Sequence, residues 1–280
     1  MLSRFALIDI SGPDARSFLQ NQLTCDIAAL PVGHAHWAAW CSAQGRMIAT
    51  GLIMALEDER WRFVVVADLA DELRTRLARY VFRSKVRLET RADLAVFGFA
   101  DAAACKAAGV ELPIPGKTLE VVVQGDLALV RLPDARLLLN APAQTLPAQA
   151  GCDDASWTRA DIAAGNVWIG AATKEKLTPH MADFEKVGVS FTKGCYPGQE
   201  VVARTQYLGK GKSKRHLVRL VSHEALDAGA PLFLPDDPAQ KIGDVLEAAS
   251  DGQGGFVVLA SLADEALLAL KATRVFAAAD

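Results

Sequence analysis

The chain has 280 residues, 51% of them hydrophobic and 22% charged, which is globular composition with length enough for a sizeable core and for two or three compact units. Disorder, collagen and coiled coil are excluded. The formal charge of −3, from 30 Lys and Arg against 33 Asp and Glu, supplies no overall field toward nucleic acid or an anionic membrane, so any polyanion site must be local.

In chain order, the apolar run Phe5 to Ile10 reads as a strand. Ser11-Gly12-Pro13-Asp14 is a turn and cap, after which Ala15, Phe18, Leu19 and Leu23 recur at the three- and four-residue spacing of an amphipathic helix. Trp37 to Cys41, Met47 to Met54 and Trp61 to Ala67 follow as strands. A helix is predicted from Asp68 to Tyr80, with Leu69, Leu73, Leu77 and Tyr80 on one face, and then a short strand at Val86 to Leu88. The order recurs with strand Leu94 to Phe99, helix Ala102 to Ala108, strands Leu119 to Val123, Leu127 to Leu132 and Arg136 to Asn140, and helix Ala143 to Ala150. Such a mixture of tight turns and helical connections predicts mixed or antiparallel sheets with helices on one face, an α+β fold and not a doubly wound sheet. A helix from Trp157 to Ala164 ends at Gly165, and a polar loop runs on to Val187. From His216 the short apolar runs, punctuated by Gly, Pro and Asp, predict a small β-barrel.

Phe256 to Ala263, the best apolar stretch, meets Asp264 and Glu265 and is too short to span a bilayer, so no membrane partner is expected. Asp9 breaks the first apolar segment, which is too short for a secretory signal. Five dispersed cysteines with no Cys-x-x-Cys predict free thiols in a reducing, cytoplasmic setting. His34 and His36 lack a third ligand nearby, and no metal site is expected. Gly211-Lys212-Ser213 has Gln206 where a P-loop needs its first glycine, and no Gly-x-Ser-x-Gly elbow is present.

Lys193-Gly194-Cys195-Tyr196-Pro197-Gly198-Gln199-Glu200 concentrates glycines, a thiol, a ring, an amide and an acid beyond what core packing asks for. Pro197 suits the first turn of a helix on which Glu200 and Arg204 form an i,i+4 pair. Cys195 then precedes a helix N-terminus, where Lys193 and the helix end favour thiolate; the competing reading is an inert packed cysteine. Lys193, Arg204, Lys210, Lys212, Lys214 and Arg215 face the single acid Glu200, a local cationic excess that fits the carboxylate tail of a cofactor or a phosphate backbone, or is simply a solvated loop.

This run resembles the Lys-Gly-Cys-(Tyr/Phe)-x-Gly-Gln-Glu signature of the YgfZ family of folate-binding proteins, and the likeness extends through Gly188 to Phe191, Val202 to Arg204, the first helix from Gly12 to Asp26, and Tyr80 to Val86. Through the wider relationship to aminomethyltransferases of the glycine cleavage system, the resemblance implies a three-domain ring. Its parts are a ferredoxin-like folate-binding region, residues 1–45 and 92–205, a second α+β region, 46–91, and a C-terminal small β-barrel, 206–280. It also implies tetrahydrofolate or another folate as cofactor, bound by Phe5, Trp157, Lys193, Tyr196, Gln199, Glu200 and Arg204, with Phe5 and Trp157 at the family's two tryptophan positions. Either ring reads equally as an ordinary core aromatic. No counterpart of the aminomethyltransferase aspartate stands in Val66 to Glu72; Asp68 or Asp71 could substitute, though each is first a helix cap.

The function implied is an accessory factor for iron-sulfur cluster assembly or repair, not a conventional enzyme, with Cys195 as its essential thiol. Its partners would be a folate and iron-sulfur proteins, such as tRNA-modifying enzymes, or cluster-assembly factors, with no direct nucleic acid. The alternatives are a folate-dependent aminomethyltransferase and a non-catalytic RNA- or protein-binding module using Lys210 to Arg215.

Overall fold

The computed structural model describes residues 1–208, 215–234, 237–267 and 273–274. Its first sheet comprises β1 (Phe5–Ser11), β2 (His34–Cys41), β3 (Met47–Glu57), β4 (Arg60–Val66) and β5 (Arg87–Thr90), in the order β2-β3-β4-β1-β5. Successive side chains point to opposite faces of a strand, and β3 is buried on both, which is why it reads as a nearly unbroken apolar run. Ile48, Ile53 and Ala55 of β3 pack with α1 (Ala15–Gln22) and α2 (Ala70–Ala78), whereas Leu52, Met54 and Leu56 join a core shared with the other sheets. Asp9, the polar interruption in β1, lies directly across from Arg62 on β4. The buried Arg62 donates to both carboxylate oxygens at 2.6 and 2.9 Å, and Arg91 adds a third bond at 2.8 Å, so the acid is fully paired inside the sheet.

The second sheet, of β6 (Leu94–Phe99), β7 (Val121–Gln124), β8 (Leu127–Arg131) and β9 (Leu137–Pro142), has the order β6-β9-β8-β7 and is covered on one face by α3 (Ala102–Ala107). Backbone bonds from Ala35 to Leu119 and from Val121 to Gly33, both 2.7 Å, join it to β2. α4 (Asp154–Ala164), capped by Asp153 and closed by the left-handed Gly165 (φ 73°), leads into a long loop with the short α5 (Glu185–Gly188) and then α6 (Gln199–Leu208). The third sheet, β10 (Arg215–Ser222), β11 (Pro231–Leu234), β12 (Asp237–Ser250), β13 (Phe256–Ala263) and β14 (Thr273–Arg274), has the order β11-β12-β13-β10-β14, and α4 packs on β12. The fold is therefore mixed α/β with antiparallel sheets.

Several expectations need correction. Residues 143–150 form turns, because Pro142 and Pro147 lack the N–H groups a helix there would use; their carbonyls instead close turns with Thr145 and Ala150. The helix expected from Asp68 opens as a 3-10 turn, Ala67–Leu69, and ends at Ala78, leaving Tyr80 exposed. Asp14 stands at the N-cap of α1 without capping it; its Oδ2 accepts the backbone N–H of Lys85 at 2.7 Å. The division at residues 45 and 46 falls in the turn between β2 and β3, which pair along their length, so the residues on either side share one sheet. Gly211 to Ser213 lie outside the described residues.

Candidate functional site

The loop from Lys193 to Gly198 is anchored at both ends. At the first, the Lys193 ammonium turns inward and donates to the carbonyls of Gln20, Leu23 and Cys25 at 2.5, 2.6 and 2.9 Å. These are the last turn of α1 and the residues beyond it, where carbonyls lack helical partners and an ammonium's three donors are well matched. Burial holds Lys193 down at about 8, with Cys25 and Asp26 pulling the other way. Its charge is thus spent on the scaffold, a correction to the expectation that it would activate the neighbouring thiol. Tyr196 is buried, with its ring 5.4 Å from that ammonium, and burial raises its phenol.

At the second anchor, Gly198 has φ +82°, and a Cβ there would stand 2.3 Å from the Ser42 carbonyl oxygen and 2.7 Å from the Cα of Gly45. Only glycine lets the loop dock on the β2–β3 turn. Pro197 lies in the turn before α6, which starts two residues later than a Pro-initiated helix would. Between the anchors Gly194 and Cys195 are exposed. Cys25, Cys41 and Cys105 are buried, and burial pushes their thiols up to about 12, 12 and 11. Gln199 is half-buried, Glu200 and Arg204 are exposed, and the ion pair expected of the last two is not formed among the described residues.

Phe5 and Trp157 belong to a different cluster, centred on the fully buried Asp161. The Phe5 ring lies 4.5 Å from Trp168, whose Nε1 donates to Asp161 Oδ2 at 3.0 Å. Arg136 donates to Asp161 Oδ1 at 2.7 Å and places its guanidinium 4.2 Å above the Trp157 ring. Arg4 reaches Asp161 at 3.9 Å and Glu247 of β12 at 2.5 Å, so the N-terminus, α4 and the third sheet meet here. Burial raises Asp161 against the pull of Arg136, Asn166 and Arg4, and pushes Glu247 up to about 7. Trp157 is entirely enclosed, seated on Gly98, where a Cβ would lie 2.3 Å from its ring. Its Nε1, with Glu247 Oε2 and the amide of Asn140, is buried without a partner among the described residues. Trp157 Nε1 is a donor and Glu247 Oε2 an acceptor, each buried and left open. Sequence reasoning missed Arg4, Arg136, Asp161, Trp168 and Glu247; the available signal was Asp161, one helical turn after Trp157.

No hydrogen bond, ion pair or ring contact joins this cluster to Lys193, Cys195 and Tyr196 among the described residues. Asp68 and Asp71 are otherwise committed: both oxygens of Asp68 accept the Ala171 N–H at 3.2 Å, and Asp71 accepts the Thr90 hydroxyl at 3.2 Å. Lys210, Lys212 and Lys214 lie outside the described residues, and Arg215 pairs with Asp244 at 2.9 Å. Among the described residues no helix is long and apolar enough to cross a membrane, and no His, Cys, Asp and Glu cluster has the makings of a metal site.

Residues 2–100 match the GCVT N-terminal domain family. The chain is 32% identical over 255 residues to the tRNA-modifying protein YgfZ of Sodalis glossinidius (strain morsitans), covering 87% of this chain and 76% of that protein. It is 33% identical over 223 residues to the protein of the same name from Yersinia pestis (strain Pestoides F), covering 75% and 67%. The glycine cleavage system aminomethyltransferase T from Bartonella henselae superposes with a TM-score of 0.71 over 93% of this chain and 76% of that one, at 19% identity, a likeness of fold. With the signature loop in place and about a third of its residues shared over most of both sequences, the chain belongs to the YgfZ family.

Proposed function

We propose that the chain binds tetrahydrofolate or another folate and supports assembly or repair of iron-sulfur clusters in enzymes such as those that modify tRNA, with Cys195 as the required thiol. The observation that carries this reading is the exposure of Cys195 on a loop whose neighbours Lys193 and Tyr196 are buried and whose Gly198 is docked. A rigid frame around a solvent-facing thiol is the arrangement a reactive group needs, while the other cysteines are covered to varying degrees. A single thiolate is a soft ligand that completes a cluster or iron site only with ligands from another protein, which favours an accessory role. The name of the curated relatives, a tRNA-modifying protein, agrees with clients of that kind.

The folate would lie toward Phe5 and Trp168, with Glu247 Oε2 and the cations Arg4 and Arg136 beside it, while Trp157, closed in by Gly98 and the Arg136 guanidinium, would support the site from within the core. Bound tetrahydrofolate supplies a one-carbon carrier. The three sheets would then form the domains of a ring around it, the last closing as a small barrel. Lys193, Tyr196 and the start of α6 at Gln199 and Glu200 position the thiol loop, and Arg204 stands on the same helix.

The test is Cys195→Ala in a strain lacking this protein. Iron-sulfur-dependent tRNA modification should be lost while purified protein still binds tetrahydrofolate, read from tryptophan quenching. Full complementation by the variant overturns the thiol assignment, and no folate binding by the unaltered chain overturns the cofactor.

A further inference from the structure

Where the N-terminal sheet, the loop after α4 and the third sheet converge, a cavity of about 420 Å³ is lined by Arg46, Lys176, Arg215, Lys241, Asp244 and Met181, with Pro231 and Gly229 completing it. Four cations thus share one carboxylate. Asp244 is already divided between Arg215 at 2.9 Å and Lys241 at 2.7 Å. Arg46 and Lys176 have neutral partners instead: Arg46 donates to the Lys176 carbonyl at 2.6 Å, and Lys176 donates to the Gly229 carbonyl at 2.7 Å. The Nε–H of Arg215 is buried and has no acceptor. Convergence of like charges from separate stretches of chain is unfavourable unless an anion joins them, and an enclosed donor without an acceptor is costly in the same sense.

We infer that this cavity is a binding site for a phosphate group, held by Arg46, Lys176, Arg215 and Lys241. Two guanidinium forks and two ammonium groups approaching from different elements suit a tetrahedral oxyanion, which accepts from several directions, better than a planar carboxylate. The volume exceeds a lone phosphate, and Met181 and Pro231 offer an apolar wall to whatever carries it. Arg46 follows the same β2–β3 turn on which Gly198 docks, so the bound phosphate would lie beside the frame of the Cys195 loop. The phosphate belongs either to a small molecule or to an RNA backbone. This site is independent of the folate cluster and of the thiol.

The test titrates full-length protein with inorganic phosphate and pyrophosphate by calorimetry, and with a fluorescein-labelled single-stranded RNA by anisotropy. Arg46 and Lys176 are exposed but each donates a hydrogen bond to another segment, so R46Q/K176Q is titrated below its own melting temperature, and K241Q, from the opposite wall, is a second variant. The double variant should weaken pyrophosphate binding by about tenfold or more. If RNA is the source, RNA binding weakens as well and the salt slope of log K falls by roughly 2. If a small molecule is the source, pyrophosphate binds and RNA does not. Absence of binding by all three probes, or binding unchanged in both variants, overturns the assignment.

Discussion

Thiol chemistry in this protein is decided by exposure one residue at a time. Cys25, Cys41 and Cys105 are buried and protonated at neutral pH, Cys152 is half-buried and raised by burial, and Cys195 faces solvent. Maleimide should therefore modify the native protein fastest at a single position, identified by peptide mass, and Cys195→Ser should abolish that fast phase. A fast phase that survives the substitution would show that another thiol is the accessible one. The residues around Cys195 made its prominence readable in advance, since flanking glycines are what an exposed turn requires. Lys193 was not readable in the same way. Its role depends on carbonyls at the end of α1, and no local pattern shows that a helix end far earlier in the chain lies beneath it.

At the scale of the element, Lys193 and Gly198 make the loop rigid from opposite ends, so their substitutions should act differently. Lys193→Met keeps an apolar stem but leaves buried carbonyls without donors, a loss of about 3 kcal/mol by the cost of unsatisfied buried groups. Gly198→Ala forces a side chain into a left-handed backbone position against the Ser42 carbonyl, at about 1–3 kcal/mol. Urea unfolding of both variants checks these losses. If the loop is a separate appendage, neither changes the midpoint. Local signals served best at the end of α4, where Gly165 stops the helix as expected; its start lies at Asp154, capped by Asp153, and not at the expected Trp157. They failed over residues 143–150, where helix-forming Ala and Gln follow each of two prolines, Pro142 and Pro147, that dictate turns. Composition there favours one structure and backbone chemistry another, and the missing N–H groups win.

For the molecule as a whole, antiparallel sheets were legible from short strands and tight turns, whereas which strands share a sheet was not, because pairing is a long-range choice. The folate cluster shows the same limit: Phe5 and Trp157 are visible separately, but the carboxylate network linking them draws on the N-terminus, α4 and β12. Glu247 makes that junction sensitive to pH. Burial raises it from 4.5 to about 7 despite Arg4, so between those values the native state holds a proton that the unfolded chain has released. The stability this contributes is complete below about pH 4.5 and is lost as pH rises through 7, by up to about 3 kcal/mol. Glu185, also raised to about 7, acts in the same sense, and His180, lowered from 6.5 by burial, acts in the opposite one. The informative quantity is therefore the difference between unaltered protein and Glu247→Gln, measured by urea unfolding from pH 5 to pH 8. Glutamine cannot titrate, so the variant should be relatively more stable at the alkaline end, with the difference growing through neutrality and then levelling. A difference independent of pH would mean that Glu247 is ionised across this range, held so by Arg4.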